Sequence, residues 1–168
     1  MEEKTTRSNS YLTFRLGKEE FGVHVSQVLN ILEMTRVTAV PRAPHYMKGV
    51  INLRGMVLPV VDVRQRFGME ETPYTSSTCI IVMDLEIKGD TVHIGAIVDE
   101  VVSVLEIEEG QVEPPPALGD HYTSDFIYGM AKVEEGFIML LDMHRVFDGR
   151  ELASVAESAA NTQTTEVN

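Results

Sequence analysis

The chain has 168 residues, 43% hydrophobic and 24% charged, with 14 Lys and Arg against 26 Asp and Glu. A formal net charge of −12 argues against binding nucleic acid or an anionic membrane surface, and the single Cys79 excludes an internal disulfide and a Cys-cluster metal site. No apolar run approaches the roughly 20 residues that a membrane helix needs, and Met1-Glu2-Glu3-Lys4 does not open a signal peptide, so the expectation is an acidic, soluble, intracellular protein.

In chain order, residues 1–10 are polar and aperiodic, which predicts disorder. Short apolar runs then follow one another, punctuated by Gly, Pro and Asp: residues 11–16 before Gly17-Lys18, residues 79–85 before Lys88-Gly89-Asp90, and residues 137–141 after Glu134-Glu135-Gly136. With 21 Val and 10 Ile in the whole chain, these runs read as hairpins of a mainly β protein. No long helical pattern separates the strands, which favours small barrels over a βαβ sheet. The Pro114-Pro115-Pro116 run reads as a stiff loop. Asp148 and Glu151 form a capping-box pattern ahead of Leu152, Val155, Ala156 and Ala159, which predicts a C-terminal helix over 149–160 that packs back on the barrels, followed by a disordered tail, 161–168.

The chain also repeats itself. With an offset of 73, residues 21–34 overlie residues 94–107, matching Gly22 to Gly95, Val25 to Val98, Val28 to Val101, Leu32 to Leu105 and Glu33 to Glu106. With an offset of 80, residues 49–67 overlie 129–147, matching Gly49 to Gly129, Asp62 to Asp142 and Phe67 to Phe147. The expectation is a single domain over 11–148 made of two related β-barrel subdomains, about 11–75 and 76–148. Each contains a short helix, beginning at Ser26 and at Asp99, and an Asp-capped turn. Halves of this size sit near the lower limit for an independent core, so they should share an apolar interface with a groove able to receive a helix or peptide.

Charge is uneven. Residues 36–68 hold six bases (Arg36, Arg42, Lys48, Arg54, Arg64, Arg66) and one acid, whereas residues 84–113 hold nine acids and one base. Oriented docking of two partners and plain solvation are both open readings. Catalytic patterns are lacking. His24, His45, His93, His121 and His144 form no metal-ligand spacing, and no phosphate-binding or nucleophile-elbow motif occurs. Asp142 and His144 sit two apart, but Asp62 holds the place of Asp142 in the first copy, so both aspartates read as turn caps, and Cys79 reads as a core thiol. The expectation is a non-enzyme with no catalytic residue, no metal and no cofactor.

One segment is distinctive: Lys48-Gly49-Val50-Ile51-Asn52-Leu53-Arg54-Gly55-Met56-Val57-Leu58-Pro59-Val60-Val61-Asp62. Two apolar strands flank an Asn-Leu-Arg-Gly corner. Pro59 lacks a ladder donor, so its strand is an edge or is bulged there. Arg54 either folds back on the carbonyls of the corner or meets a partner. This segment resembles the hallmark of the CheW family of bacterial chemotaxis adaptors, with Gly49, Asn52, Gly55, Pro59 and Asp62 as motif positions, and the resemblance runs from about Tyr11 to Phe147.

The resemblance implies two SH3-like five-stranded barrels and a non-enzymatic adaptor. Such an adaptor is cytoplasmic, associated with membrane receptor arrays, and couples the cytoplasmic tip of transmembrane chemoreceptors to the regulatory domain of the CheA histidine kinase. It is monomeric alone, without nucleic-acid binding or membrane insertion. Helix-in-groove recognition of the receptor would fall on Val28 and Ile31 of the first short helix and on Leu53 and Arg54 of the corner, with Val98 and Val101 as an opposite wall. Asn30 stands where the family often has Glu. A scaffold for another kinase pathway, such as surface motility or second-messenger signalling, is the alternative. A small-ligand barrel is a more distant one.

Overall fold

The computed structural model describes residues 9–87, 89–115, 126–134 and 136–147. The helix expected over 149–160 and both expected disordered ends, apart from Asn9 and Ser10, lie outside these residues.

Eleven strands appear in the order β1 (Ser10–Leu16), β2 (Glu19–His24), β3 (Val28–Glu33), β4 (Met47–Leu53), β5 (Met56–Asp62), β6 (Cys79–Ile87), β7 (Asp90–Val98), β8 (Glu100–Glu106), β9 (Val112–Glu113), β10 (Ile127–Val133) and β11 (Gly136–Leu141). A single helical turn follows β5 as α1 (Val63–Arg66) and β11 as α2 (Met143–Val146). One sheet has the order β8-β1-β2-β11-β10-β9 and the other β3-β6-β7-β5-β4. The fold is mainly β, two SH3-like barrels.

The barrels do not divide the chain at residue 75 as expected. The β1–β2 hairpin is built into the sheet of β8 to β11, and the β6–β7 hairpin into the sheet of β3 to β5. The link between β2 and β3 is a 3-10 turn, Val25–Gln27, which carries the chain from one sheet into the other instead of closing a hairpin. β3 pairs with β6, and β2 pairs in parallel with β11. Leaving aside β9, exchanging each strand for its repeat counterpart (β1 for β6, β2 for β7, β3 for β8, β4 for β10, β5 for β11) converts one strand order into the other. Register agrees: Gly22 stands opposite Leu140 and Gly95 opposite Val60. So do the bulges, whose extra residues are Leu29 and Val102, and Lys48 and Tyr128.

Alternation distributes the strands over three apolar clusters. On β7, Ile94, Ala96 and Val98 join a large cluster shared by both sheets, which also takes Leu12, Phe14 and Leu16 of β1 and Leu141 of β11. Ile97 faces the other way, joining Ile51, Leu58, Val60, Ile80 and Val82 inside one barrel. Ile107, Ala131, Ile138 and Leu140 fill the other barrel. The shared cluster makes the barrels one packed body.

The expected helices at Ser26 and Asp99 are corrected. The turn at Val25–Gln27 is capped by His24, whose Nδ1 accepts the Ser26 N–H at 3.1 Å, and the chain merely bends at Asp99. Asp99 is committed to tertiary bonds: its Oδ2 accepts the Gly17 N–H at 2.6 Å and its Oδ1 a guanidinium N–H of Arg64 at 2.8 Å. Asp62 and Asp142 occupy matching places. Each donates its N–H across the strand end at 2.8 Å, to Tyr46 and to Phe126, and each carboxylate caps the following turn, at Arg64 N and at His144 N.

Candidate partner-binding site

The Asn52-Leu53-Arg54-Gly55 corner is a two-residue hairpin loop, with Leu53 opposite Met56. Arg54 (φ 53°) and Gly55 (φ 85°) both lie in the left-handed region, the signature of a type I′ turn. Asn52 locks it by accepting the Gly55 N–H on Oδ1 at 2.7 Å. Arg54 therefore has no part in holding the turn. It is exposed and makes neither hydrogen bond nor ion pair with a described residue. A non-glycine residue in this conformation costs about 1–2 kcal/mol, which makes an unpaired arginine here a functional candidate.

Pro59 is buried in β5, an interior strand. At that point, however, β5 has only β4 beside it, since β7 first comes into register at Val60, so the missing donor falls where the ladder is open. Gly49 is demanded by packing: its φ is +145°, and a Cβ there would lie 2.0 Å from the Thr38 carbonyl oxygen.

Val28, Asn30 and Ile31 lie on β3, not on a helix. The bulge at Leu29 interrupts alternation, so Leu29, Asn30 and Ile31 are successively exposed, Leu29 by 52% and Ile31 by 43%. Asn30 turns back on its own backbone, its Oδ1 accepting the Ile31 N–H at 2.8 Å. Leu53 packs on the same barrel core as Leu32 and Met34, which follow Ile31 closely in the chain. One barrel thus presents Leu29, Ile31, Leu53, Arg54 and the exposed Met56.

The proposed opposite wall is corrected. Val98 is fully buried in the shared cluster and offers no surface. Val101 is half-buried against that cluster, as is Val28, its counterpart 73 residues earlier. What β8 does expose is Val102 and Val104, the counterparts of Leu29 and Ile31. Of these four residues sequence reasoning named Ile31 but missed Leu29, Val102 and Val104, although the offset of 73 overlays Leu29-Asn30-Ile31 on Val102-Ser103-Val104 and shows the same apolar-polar-apolar pattern.

The six bases of residues 36–68 do not form a uniform face. Arg64 is 2% exposed and bonded to Asp62, Asp99 and Thr72. Burial opposes its charge, but hydrogen bonding and attraction to Asp62 outweigh this and raise its pKa. Lys48 bonds Glu71 at 3.0 Å, which raises its pKa. Arg66 lies over the rings of Tyr46 and Phe126 and donates to the Val146 carbonyl at 2.7 Å. Arg36, Arg42 and Arg54 remain as exposed cations with no ion pair to a described residue. Burial pushes the Cys79 thiol up. Among the described residues, no group of three or more His, Cys, Asp or Glu could hold a metal ion, and no helix is long and apolar enough to cross a membrane.

Comparison with known proteins places this geometry. The chain is 31% identical over 150 residues to the Klebsiella aerogenes protein named Chemotaxis protein CheW, covering 89% of this chain and 88% of that one. It is 32% identical over 110 residues to Protein FrzA of Myxococcus xanthus, covering 66% of each. Among solved structures, the scaffolding protein TtCheW of Thermoanaerobacter tengcongensis superposes with a TM-score of 0.74 at 30% identity, over 86% of this chain and 96% of that one. The CheW-like domain matches residues 10–151, and with two interleaved barrels and the Asn52–Gly55 corner in place, the chain belongs to the CheW-like domain family.

Proposed function

We propose that the protein is a non-enzymatic chemotaxis adaptor that couples the cytoplasmic tip of transmembrane chemoreceptors to the CheA histidine kinase and supports kinase activation in signalling arrays. It acts in the cytoplasm at the membrane receptors and is monomeric when alone. The observation that carries this reading is the exposed, unpaired Arg54 at a type I′ corner, on the barrel that also exposes Leu29, Ile31 and Met56. Exposed apolar side chains with a free cation suit an amphipathic helix carrying an acidic residue, which is how a receptor hairpin would be received. Likeness to proteins named CheW, one of them called a scaffolding protein, supports the coupling role. The kinase would meet barrel ends, and many such contacts in an array give avidity from modest single affinities.

The second reading is a scaffold for a different kinase pathway. The match to FrzA, a relative not named for chemotaxis, is what favours it. Reconstitution separates the two. Added to receptor fragments and CheA, the protein should raise kinase autophosphorylation, and Arg54→Ala should reduce the effect. Autophosphorylation indifferent to the protein would reject the chemotaxis reading.

A further inference from the structure

We propose that the slot between β8 and β10 is a second docking site, taking an extended partner segment in which basic residues alternate with aliphatic ones. This goes beyond the receptor and kinase reading and uses neither Arg54 nor β3. Among the described residues, β8 has a strand on one side only, β1, and past Val101, whose backbone bonds Cys79, its other edge pairs with no described strand. Along that strand Val102, Val104 and Glu106 face outward at a period of two. At its end lies a cavity of about 460 Å3, which has Leu105, Ile107 and Val133 as apolar surface and Glu106 and Glu134 on its rim. β9 pairs β10 only at Met130 and Ala131, so the edge of β10 past that point borders the same cavity.

Charge selects the occupant. Lys132, at the rim, is already engaged by Glu113 at 2.9 Å. Glu106, Glu109 and Glu134 have no ion pair with a described residue. Aliphatic partner residues would lie against Val102 and Val104, and Lys or Arg would answer Glu106 and Glu134, while main-chain bonds to β8 supply the register. The corresponding corner of the other barrel carries Arg54 at the place of Glu134, 80 residues earlier, so the two barrels present opposite charge and would sort different partners.

The test is an NMR titration of the full chain with a short peptide of alternating Lys and Val. The expected result is shifts confined to Val102, Val104, Glu106 and the cavity residues, with binding weakened about tenfold in the Glu106→Lys, Glu134→Lys double variant. Replacing alternate peptide residues by Pro, which removes the main-chain donors, should abolish the shifts. The proposal is overturned if a Glu-Val peptide binds equally, if charge reversal leaves affinity unchanged, or if a helical Lys-Leu peptide binds the slot better than the extended one.

Discussion

Arg64 donates to Asp99 at 2.8 Å, and this bond ties the turn after β5 to the bend between β7 and β8, joining the first sequence repeat to the second. The other oxygen of Asp99 holds Gly17, in the turn of the β1–β2 hairpin, so one carboxylate links both sheets. The guanidinium also serves Asp62, which is fully buried. At the equivalent end of the molecule the positions are His144 and Ser26, and the side chain of His144 is 44% exposed. The two ends of the seam between the barrels are therefore unequal, one latched by a buried ion pair and one without it.

Removing the latch should unfold the protein readily. Arg64→Met keeps much of the side-chain volume but leaves the Asp62 carboxylate buried without its countercharge. The expected loss is about 3–5 kcal/mol. Asp99→Asn keeps the shape, and Asp62 still neutralises Arg64, so a smaller loss of about 1–2 kcal/mol is expected. Urea denaturation of both variants measures the difference. Equal losses would show that Asp99, not Asp62, is the essential partner.

Gly49→Ala should be among the most destabilising single changes. Its φ of +145° is hostile to any side chain, and the new Cβ would meet the Thr38 carbonyl, which is itself held by a bond from Val50 N at 2.8 Å. Neither strand can retreat without breaking the Thr38–Val50 bridge. A loss of about 3 kcal/mol or more is expected, read as a lower urea midpoint. A midpoint near that of the parent would mean that this stretch of chain relaxes freely.

Sequence alone revealed the β class, the repeat and the matched Asp62 and Asp142, because strand alternation and turn residues are local signals. The exchange of hairpins between barrels was not legible. The alternation of β1 and β2 marks an apolar face but not the sheet that face joins, which is settled by long-range pairing with β8 and β11. The bulge at Leu29 likewise blurs a period-two reading, leaving Asn30 exposed together with Leu29 and Ile31, and an apolar face would be expected to be buried, not exposed. Counting charges could not show that Arg64 is internal, since its burial depends on Asp99, 35 residues away.

Cys79 should react slowly. The thiol is half-buried at the start of β6, and its pKa is raised by burial, so at neutral pH even less thiolate is present than in a free thiol. In the native protein, labelling by Ellman's reagent should run well below the rate in urea and should accelerate as pH rises toward the shifted pKa. A native rate matching that of the unfolded chain would place the thiol in open solvent.

Arg54 allows fold and function to be separated. Because Asn52 holds the corner and Arg54 occupies the left-handed region unaided, Arg54→Gly should relieve backbone strain and stabilise the protein by up to about 1 kcal/mol. Arg54→Ala keeps the strain and should change stability by no more than about 0.5 kcal/mol. Both variants lose the free cation, so both should weaken receptor-fragment binding by a similar factor, whereas Arg54→Lys should restore part of it. Binding is read by titration and stability by urea denaturation on the same samples. If affinity followed stability across the series, so that the glycine variant bound best, the arginine would matter only to the turn. Weakened binding in a glycine variant more stable than the parent would assign the side chain to the partner.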